Sequence, residues 1–296
     1  VAHPGRRWQR LFFMPQSISD RSDIEAVEID QISSDILAAL YPDANVQKKG
    51  FEQTQIANNS IDLAITNVPF VPGWRVIDET GDKDLSRKFR DLHNFCIAKN
   101  IRKLKQGGIG IFLTTRGTLD SSKALRQWIT NEGEADVIGA FRLNNDTFGG
   151  TNATSDIIIV RKRVDGKKDP NAIDVLNVAT ERVADYSNGN EKHKQYPVTY
   201  NAYFVQHPEF MGGQMAYAFE HGVTYHETSL SLYPAKGIDQ QQRIDEWVSS
   251  FSNAQKVETI DEVKEVANRN AKLGEDVKEG SLITDSEGNL CVAHNG

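Results

Sequence analysis

The feature that most constrains this chain is the run Ile109-Gly110-Ile111-Phe112-Leu113-Thr114, nearly continuous in apolar residues. A helical stripe of Phe95, Ile97, Ala98, Ile101 and Leu104 comes directly before it. A strand with one face in water alternates apolar and polar side chains, whereas one covered on both faces is apolar throughout. The run therefore predicts a strand inside a sheet with cover on each side. Other segments repeat the alternation of strand and helix. Ile24 to Asp30 reads as a strand ending in acids, and Ile32, Ile36, Leu37 and Leu40 follow at helical spacing until Tyr41-Pro42-Asp43. Asn45 to Lys49 is a weaker strand, and Ile61 to Thr66 a clear one, stopped by Asn67-Val68-Pro69-Phe70. The stripe from Phe95 is expected to end at Gly107-Gly108. Leu125, Trp128 and Ile129 mark a further helix, and Ala135 to Leu143 and Asp156 to Val160 two more strands. This rhythm predicts an α/β fold with a largely parallel sheet between about residues 22 and 163.

Beyond it the chain changes character. Arg161 to Asp169 and Tyr186 to Gln195 are polar and read as loops or hairpin surfaces. Asp239 to Phe251 and Thr259 to Leu273 read as helices, and Ser281 to Ala293 as a small hairpin around Asp285-Ser286-Glu287-Gly288. The expected divisions are an atypical start at 1–15, a core at 16–165, a polar extension at 166–230, and a helical segment with a hairpin at 231–296 that resembles a linker into a further domain. With 296 residues there is room for a sizeable core. Cys96 and Cys291 offer neither a disulfide framework nor a thiolate cage, so a reducing, cytoplasmic setting is expected. No apolar run reaches the ~20 residues that cross a bilayer. The excess of 41 acidic over 34 basic residues argues against a generally basic nucleic-acid coat, while leaving room for a local one. His221 and His226, five apart, do not share a helix face, and no metal is expected.

In open α/β sheets ligands bind beyond the carboxyl ends of the strands. Glu28 and Asp30 end the first strand, where a carboxylate can accept hydrogen bonds from both hydroxyls of a ribose; the alternative is a pair of surface acids favouring the next helix through its dipole. At Asn67-Val68-Pro69-Phe70 an amide oxygen and a neighbouring main-chain carbonyl can both accept from one exocyclic amine. Proline fixes the turn, and the aromatic ring can stack on a base. An ordinary turn followed by a core phenylalanine is the alternative. Arg116-Gly117-Thr118 could touch phosphate or form a solvated turn. Arg161-Lys162-Arg163 with Lys167-Lys168 could grip a DNA backbone or lie in water.

The segment from Ile61 to Phe70 resembles the end of the fourth strand in amino-group DNA methyltransferases that act on adenine N6, with Val68 in place of the first proline of their Asn/Asp-Pro-Pro-Tyr/Phe pattern. The chain is most similar to the methylase region of large, helicase-containing proteins of bacterial mobile elements and phages. His93-Asn94-Phe95, Gly107-Gly108-Ile109, Thr115-Arg116-Gly117, Gly139 to Leu143, Thr154 to Ile158 and Tyr203 to Glu209 extend the likeness over most of the sequence. The resemblance implies a Rossmann-like, S-adenosylmethionine-dependent methyltransferase fold and methyl transfer to a flipped adenine of double-stranded DNA. It further implies a restriction-modification setting and an adjacent helicase region. On that basis Asn67 and the Val68 carbonyl would hold the N6 amine, Pro69 would set the turn and Phe70 would stack. Glu28, with Asp30, would bind the cofactor ribose, and Phe51-Glu52 would lie near its adenine.

One departure accompanies the match. The family opens its sheet with a strand and a Phe-x-Gly-x-Gly turn, whose bare backbone approaches the cofactor. Before Glu28 this sequence holds a single glycine, Gly5. The expectation is a sheet lacking its first strand, with two open strand edges, an incompletely covered core and poor cofactor affinity. Two function classes result: a DNA adenine-N6 methyltransferase domain inactive without the missing motif, and a non-catalytic DNA-binding or scaffold remnant.

Overall fold

The computed structural model describes residues 22–69, 75–78, 80–149, 153–185, 195–217, 230–251, 282–284 and 290–292. The expectations for residues 1–15, Phe70, the loop over 186–194, the helix from Thr259 and the turn at Asp285 to Gly288 lie outside the described residues.

Each strand expected up to residue 163 is present. They are β1 (Glu25–Val27), β2 (Asn45–Gln47), β3 (Ile61–Asn67), β4 (Leu104–Thr115), β5 (Ala135–Leu143) and β6 (Ser155–Lys162). The helices are α1 (Gln31–Leu40), α2 (Lys83–Lys88), α3 (Leu92–Lys103), α4 (Gly117–Asp120) and α5 (Lys123–Asn131). The chain thus has the α/β class expected of it. The main sheet has the order β3-β4-β6-β5, and β1 pairs in parallel with β2. β3 is parallel to β4, while β6 is antiparallel to both β4 and β5. Three strands of the main sheet therefore run one way and β6 the other, a mixed pairing where parallel pairing dominates the expectation. A strand following directly on a neighbour of the same direction needs a long crossover, whereas β6 returns from β5 through the short span between Leu143 and Ser155.

Helix α3 covers one face of this sheet. Phe95, Ile97, Ala98 and Ile101 are all fully buried, and they meet Phe112, Ala140, Ile158 and Val160 in one core. β5 is buried along its whole length, as its composition requires. The glycine pair has a different role from the helix stop expected of it. Helix α3 ends at Lys103 and β4 begins at once; the register with β3 then jumps from Ile61↔Leu104 to Leu63↔Ile109. Gly107 turns the bulge at φ +75°, and a Cβ on Gly108 would lie 2.9–3.2 Å from the carbonyl oxygens of Lys105, Ile61 and Asp62.

The stripe of α1 behaves less simply. Leu37 is buried, but Ile32, Ile36 and Leu40 are exposed, as are Leu63 and Ile65 on β3. Among the described strands β1 pairs with β2 alone and β3 with β4 alone, so each keeps an open edge.

The polar extension contains more order than its sequence announces. β7 (Val178–Asp185), β8 (Tyr196–Asn201), β9 (Gln214–Tyr217) and β10 (Leu230–Tyr233) form a second sheet in the order β10-β9-β7-β8. A short helix α6 (Ala202–Gln206) follows β8, its Asn201 cap accepting from the Tyr203 N–H. The chain divides into two compact units, 1–240 and 241–296. A helix runs over 240–251, and within the second unit β11 (Leu282–Thr284) pairs antiparallel with β12 (Leu290–Val292). No helix among the described residues is long and apolar enough to cross a membrane.

Candidate functional site

The carboxyl ends of β1, β2 and β3 carry the residues singled out from the sequence. After β1 the Glu28 N–H donates to the Gln47 carbonyl, at 3.1 Å, so the acid is held beside the end of β2. One of its carboxylate oxygens accepts from the Asp30 N–H at 2.9 Å; the other has no partner among the described residues. Asp30 is the N-cap of α1 and accepts from the Ser33 N–H at 2.8 Å. Hydrogen bonding from the Ser33 side chain and then from its N–H lowers the Asp30 pKa, against the opposing effect of burial. Capping commits the Asp30 side chain to the helix and leaves Glu28 as the acid better placed for an external hydroxyl.

Beyond β2, Phe51–Gln53 form one turn of 3-10 helix. A fully buried lysine, Lys99 of α3, holds this turn from behind. Its Nζ lies 3.0 Å from Asp78 Oδ2, 3.2 Å from the Thr54 carbonyl and 5.3 Å from the centre of the Phe51 ring. Burial pushes the Asp78 carboxyl up, but the Lys99 bond and the N–H groups of Gly81 and Thr80 outweigh it and bring the pKa from 3.8 down to about 2. A carboxylate depressed in this way contributes stability that is complete above its unfolded pKa and lost as pH falls through the folded one. Urea unfolding of the wild type should therefore lose stability between about pH 4 and pH 2, and Asp78→Asn should be less stable at neutral pH while showing a smaller loss over that interval.

At the end of β3, Asn67 pairs in register with Leu113 of β4, and the Val68 N–H donates to the Leu113 carbonyl at 2.9 Å. The Val68 side chain is buried in the core, which accounts for an aliphatic residue at that place. The Asn67 Oδ1 is buried without a hydrogen-bond partner. An orphaned buried acceptor costs about 1–3 kcal/mol and calls for an explanation. Asn94 Oδ1 and Arg126 Nε are in the same condition among the described residues.

Two further groups border this end of the sheet. His93, at the start of α3, places Nε2 2.7 Å from the hydroxyls of both Thr114 and Thr118, and its ring donates to the Pro69 carbonyl. Burial lowers its pKa, outweighing the nearby Asp91 carboxylate and the Pro69 bond, so the imidazole is neutral near neutral pH. Past β4 there is a cavity of about 320 Å³ lined by Thr115, Arg116, Gly117, Thr154, Leu230 and Ser231, among others. Arg116 is held at its rim by Asp120, at 3.2 Å. Asp120 is itself bound at 2.8 Å by the wholly buried Arg142, which also donates twice to Asp156 at 2.8 and 2.9 Å and lies 4.4 Å from the centre of the Phe204 ring.

The sequence reading brings Asn67, Val68 and Pro69 to one turn and Glu28 and Glu52 to neighbouring strand ends, but it names His93 only within a matching string and assigns it no role. Thr118 is named there only within the Arg116-Gly117-Thr118 turn and Thr114 only within a strand, and neither is assigned to His93: their hydroxyls lie 2.6 Å apart, and the imidazole reaches both from α3. The basic run at Arg161 is satisfied from within. Arg161 pairs with Asp169, Arg163 grips both oxygens of Asp136, and the buried Lys162 donates to the Gly133 carbonyl. Lys167 and Lys168 remain exposed.

No family model matches the chain. Among curated proteins, defense against restriction protein B of Escherichia phage P1 is 30% identical over 141 residues, a match that takes in 46% of this chain and 6% of that protein. Two solved structures are similar in shape. A modification subunit assigned to a type I restriction enzyme of Vibrio vulnificus is 12% identical with a TM-score of 0.45, covering 95% of this chain and 49% of that one. The EcoKI M protein, a type I restriction enzyme component, is 10% identical with a TM-score of 0.36, covering 83% and 62%. The chain thus spans a small part of the curated relative and about half or more of each structure.

Proposed function

We propose that this chain is the core of an S-adenosylmethionine-dependent DNA methyltransferase that acts on the N6 amine of adenine. The observation that carries the reading is the buried, unpartnered Oδ1 of Asn67 at the carboxyl end of β3. An amine arriving with the substrate supplies the donor that this oxygen lacks. The Val68 carbonyl, one residue on, provides a second acceptor for the other amine proton. Together they would orient the nitrogen lone pair and draw electron density towards it by accepting from both N–H bonds.

The cofactor fits the residues present at one point in particular: Glu28 has an uncommitted oxygen at the end of β1, suited to a ribose hydroxyl. Glu52, next along the strand ends, would face the cofactor's adenine. S-adenosylmethionine, when bound, supplies a methyl group on a positively charged sulfur. The chain would contribute alignment and exclusion of water, so that the N–C bond could form as the S–CH3 bond of the sulfonium breaks, its electron pair leaving with the thioether product and one amine proton passing to solvent, without a covalent protein intermediate. The substrate base must leave the duplex, at a cost of a few kcal/mol that contacts in the pocket offset. Phe70 would stack on it.

The test is transfer of labelled methyl groups from S-adenosylmethionine to unmethylated DNA by this protein. Transfer to adenine supports the reading. DNA binding without transfer favours a non-catalytic remnant.

A further inference from the structure

We infer that His93 is the positioning residue of the Asn67–Pro69 turn, held by Thr114 and Thr118 so that its remaining ring N–H anchors the Pro69 carbonyl. The inference rests on the reading of that turn as the amine-binding site.

The triangle of hydroxyls admits either tautomer, and the Pro69 carbonyl selects one. His93 Nε2 lies 2.7 Å from each threonine hydroxyl, and the two hydroxyls lie 2.6 Å apart. Two O–H protons serve this triangle if one hydroxyl donates to Nε2 and the other donates to the first hydroxyl's oxygen. Nε2 is then the acceptor, and the ring proton belongs to Nδ1, which is left to face the Pro69 carbonyl. The opposite tautomer would set a bare nitrogen against a carbonyl oxygen. Thr114 and Thr118 are both buried, so water does not compete for these bonds.

The anchor matters because of where it falls. The Val68 N–H is tied to the Leu113 carbonyl, and Pro69 has no N–H, which leaves its carbonyl as its one main-chain handle. Between those two fixed points lies the Val68 carbonyl, the second acceptor of the proposed site, with Asn67 immediately before it. Leu113 and Thr114 are consecutive in β4, so the same strand end holds the turn directly and through the imidazole.

The side-chain ¹⁵N spectrum of the wild-type protein tests the tautomer: His93 should be protonated on Nδ1 alone, and protonation on Nε2 overturns the inference. Anchoring is tested by His93→Asn, whose amide reaches the Nδ1 position, and His93→Gln, whose amide reaches the Nε2 position. The Asn67 side-chain amide and Val68 carbonyl signals should stay at their wild-type positions in His93→Asn and shift in His93→Gln. Signals that coincide in all three proteins, or that move equally in both variants, overturn it. In the transfer assay His93→Gln should lower kcat about 10- to 100-fold, as a small misplacement of a reacting group does, with the KM for S-adenosylmethionine unchanged. Unaltered transfer in Asn67→Ala together with these spectra would remove the amine-site reading and leave the anchor standing. An inactive Asn67→Ala with unmoved spectra would do the reverse.

Discussion

Asn67→Ala should lower methyl transfer to DNA by roughly 10²–10³-fold, the loss that follows when one preorganised hydrogen-bonding group is removed from a reacting centre. The same change removes the buried Oδ1 that has no partner, so it should not reduce stability and may be read against a wild type of equal or lower unfolding midpoint. That pairing of effects is unusual: most substitutions of half-buried polar residues cost stability first. Rates measured with saturating S-adenosylmethionine, beside urea unfolding of the same preparations, check both halves. Equal rates would show that the Asn67 oxygen serves no amine.

Asp156→Ala should destabilise the fold by about 3–5 kcal/mol, because it leaves a fully buried guanidinium without its two-bonded partner. Arg142 links β5 to β6 through Asp156, to α4 through Asp120, and to Phe204 of α6. Its charge persists in the interior because the two carboxylates outweigh the cost of burial and hold its pKa well above the ordinary arginine value. The exposed pair Lys105–Asp62 provides the contrast; Asp62→Ala should cost less than about 1 kcal/mol. Urea unfolding of both variants measures the difference. Near-equal losses would mean that Asp120 alone compensates Arg142. Since Asp120 also holds Arg116 at the rim of the cavity, Asp156→Ala should additionally loosen that rim.

The fold up to residue 162 was legible because burial writes a period into the sequence. Ala135 to Leu143 could satisfy its composition only as a covered strand, and it does; in Ile109 to Thr114 the strand is present, but Ile109 and Ile111 are half-buried while Phe112, Leu113 and Thr114 are buried. β7 to β10 were not legible: Val178-Ala179-Thr180-Glu181-Arg182-Val183 alternates weakly, and its partner strands lie at separations that local pattern does not encode. Gly107-Gly108 misled because a helix stop and a strand bulge both need left-handed backbone, and only the pairing with Ile61 and Leu63 distinguishes them. Asn67 and Glu28 could be proposed as site residues from their places at strand ends. The capping role of Asp30 was equally readable, since an acid directly before a helical stripe meets both descriptions. His93 could not be read as an anchor, for its partners come from the turn after β3, from β4 and from α4, and nothing in a single sequence brings them together.

The most direct test of the central claim is the chemical identity of the base modified when the protein acts on unmethylated DNA with labelled S-adenosylmethionine. Digestion to nucleosides and mass spectrometry should give N6-methyladenine with the wild type and little or none with Asn67→Ala. A methylated cytosine, or N6-methyladenine in equal yield from both proteins, would contradict it.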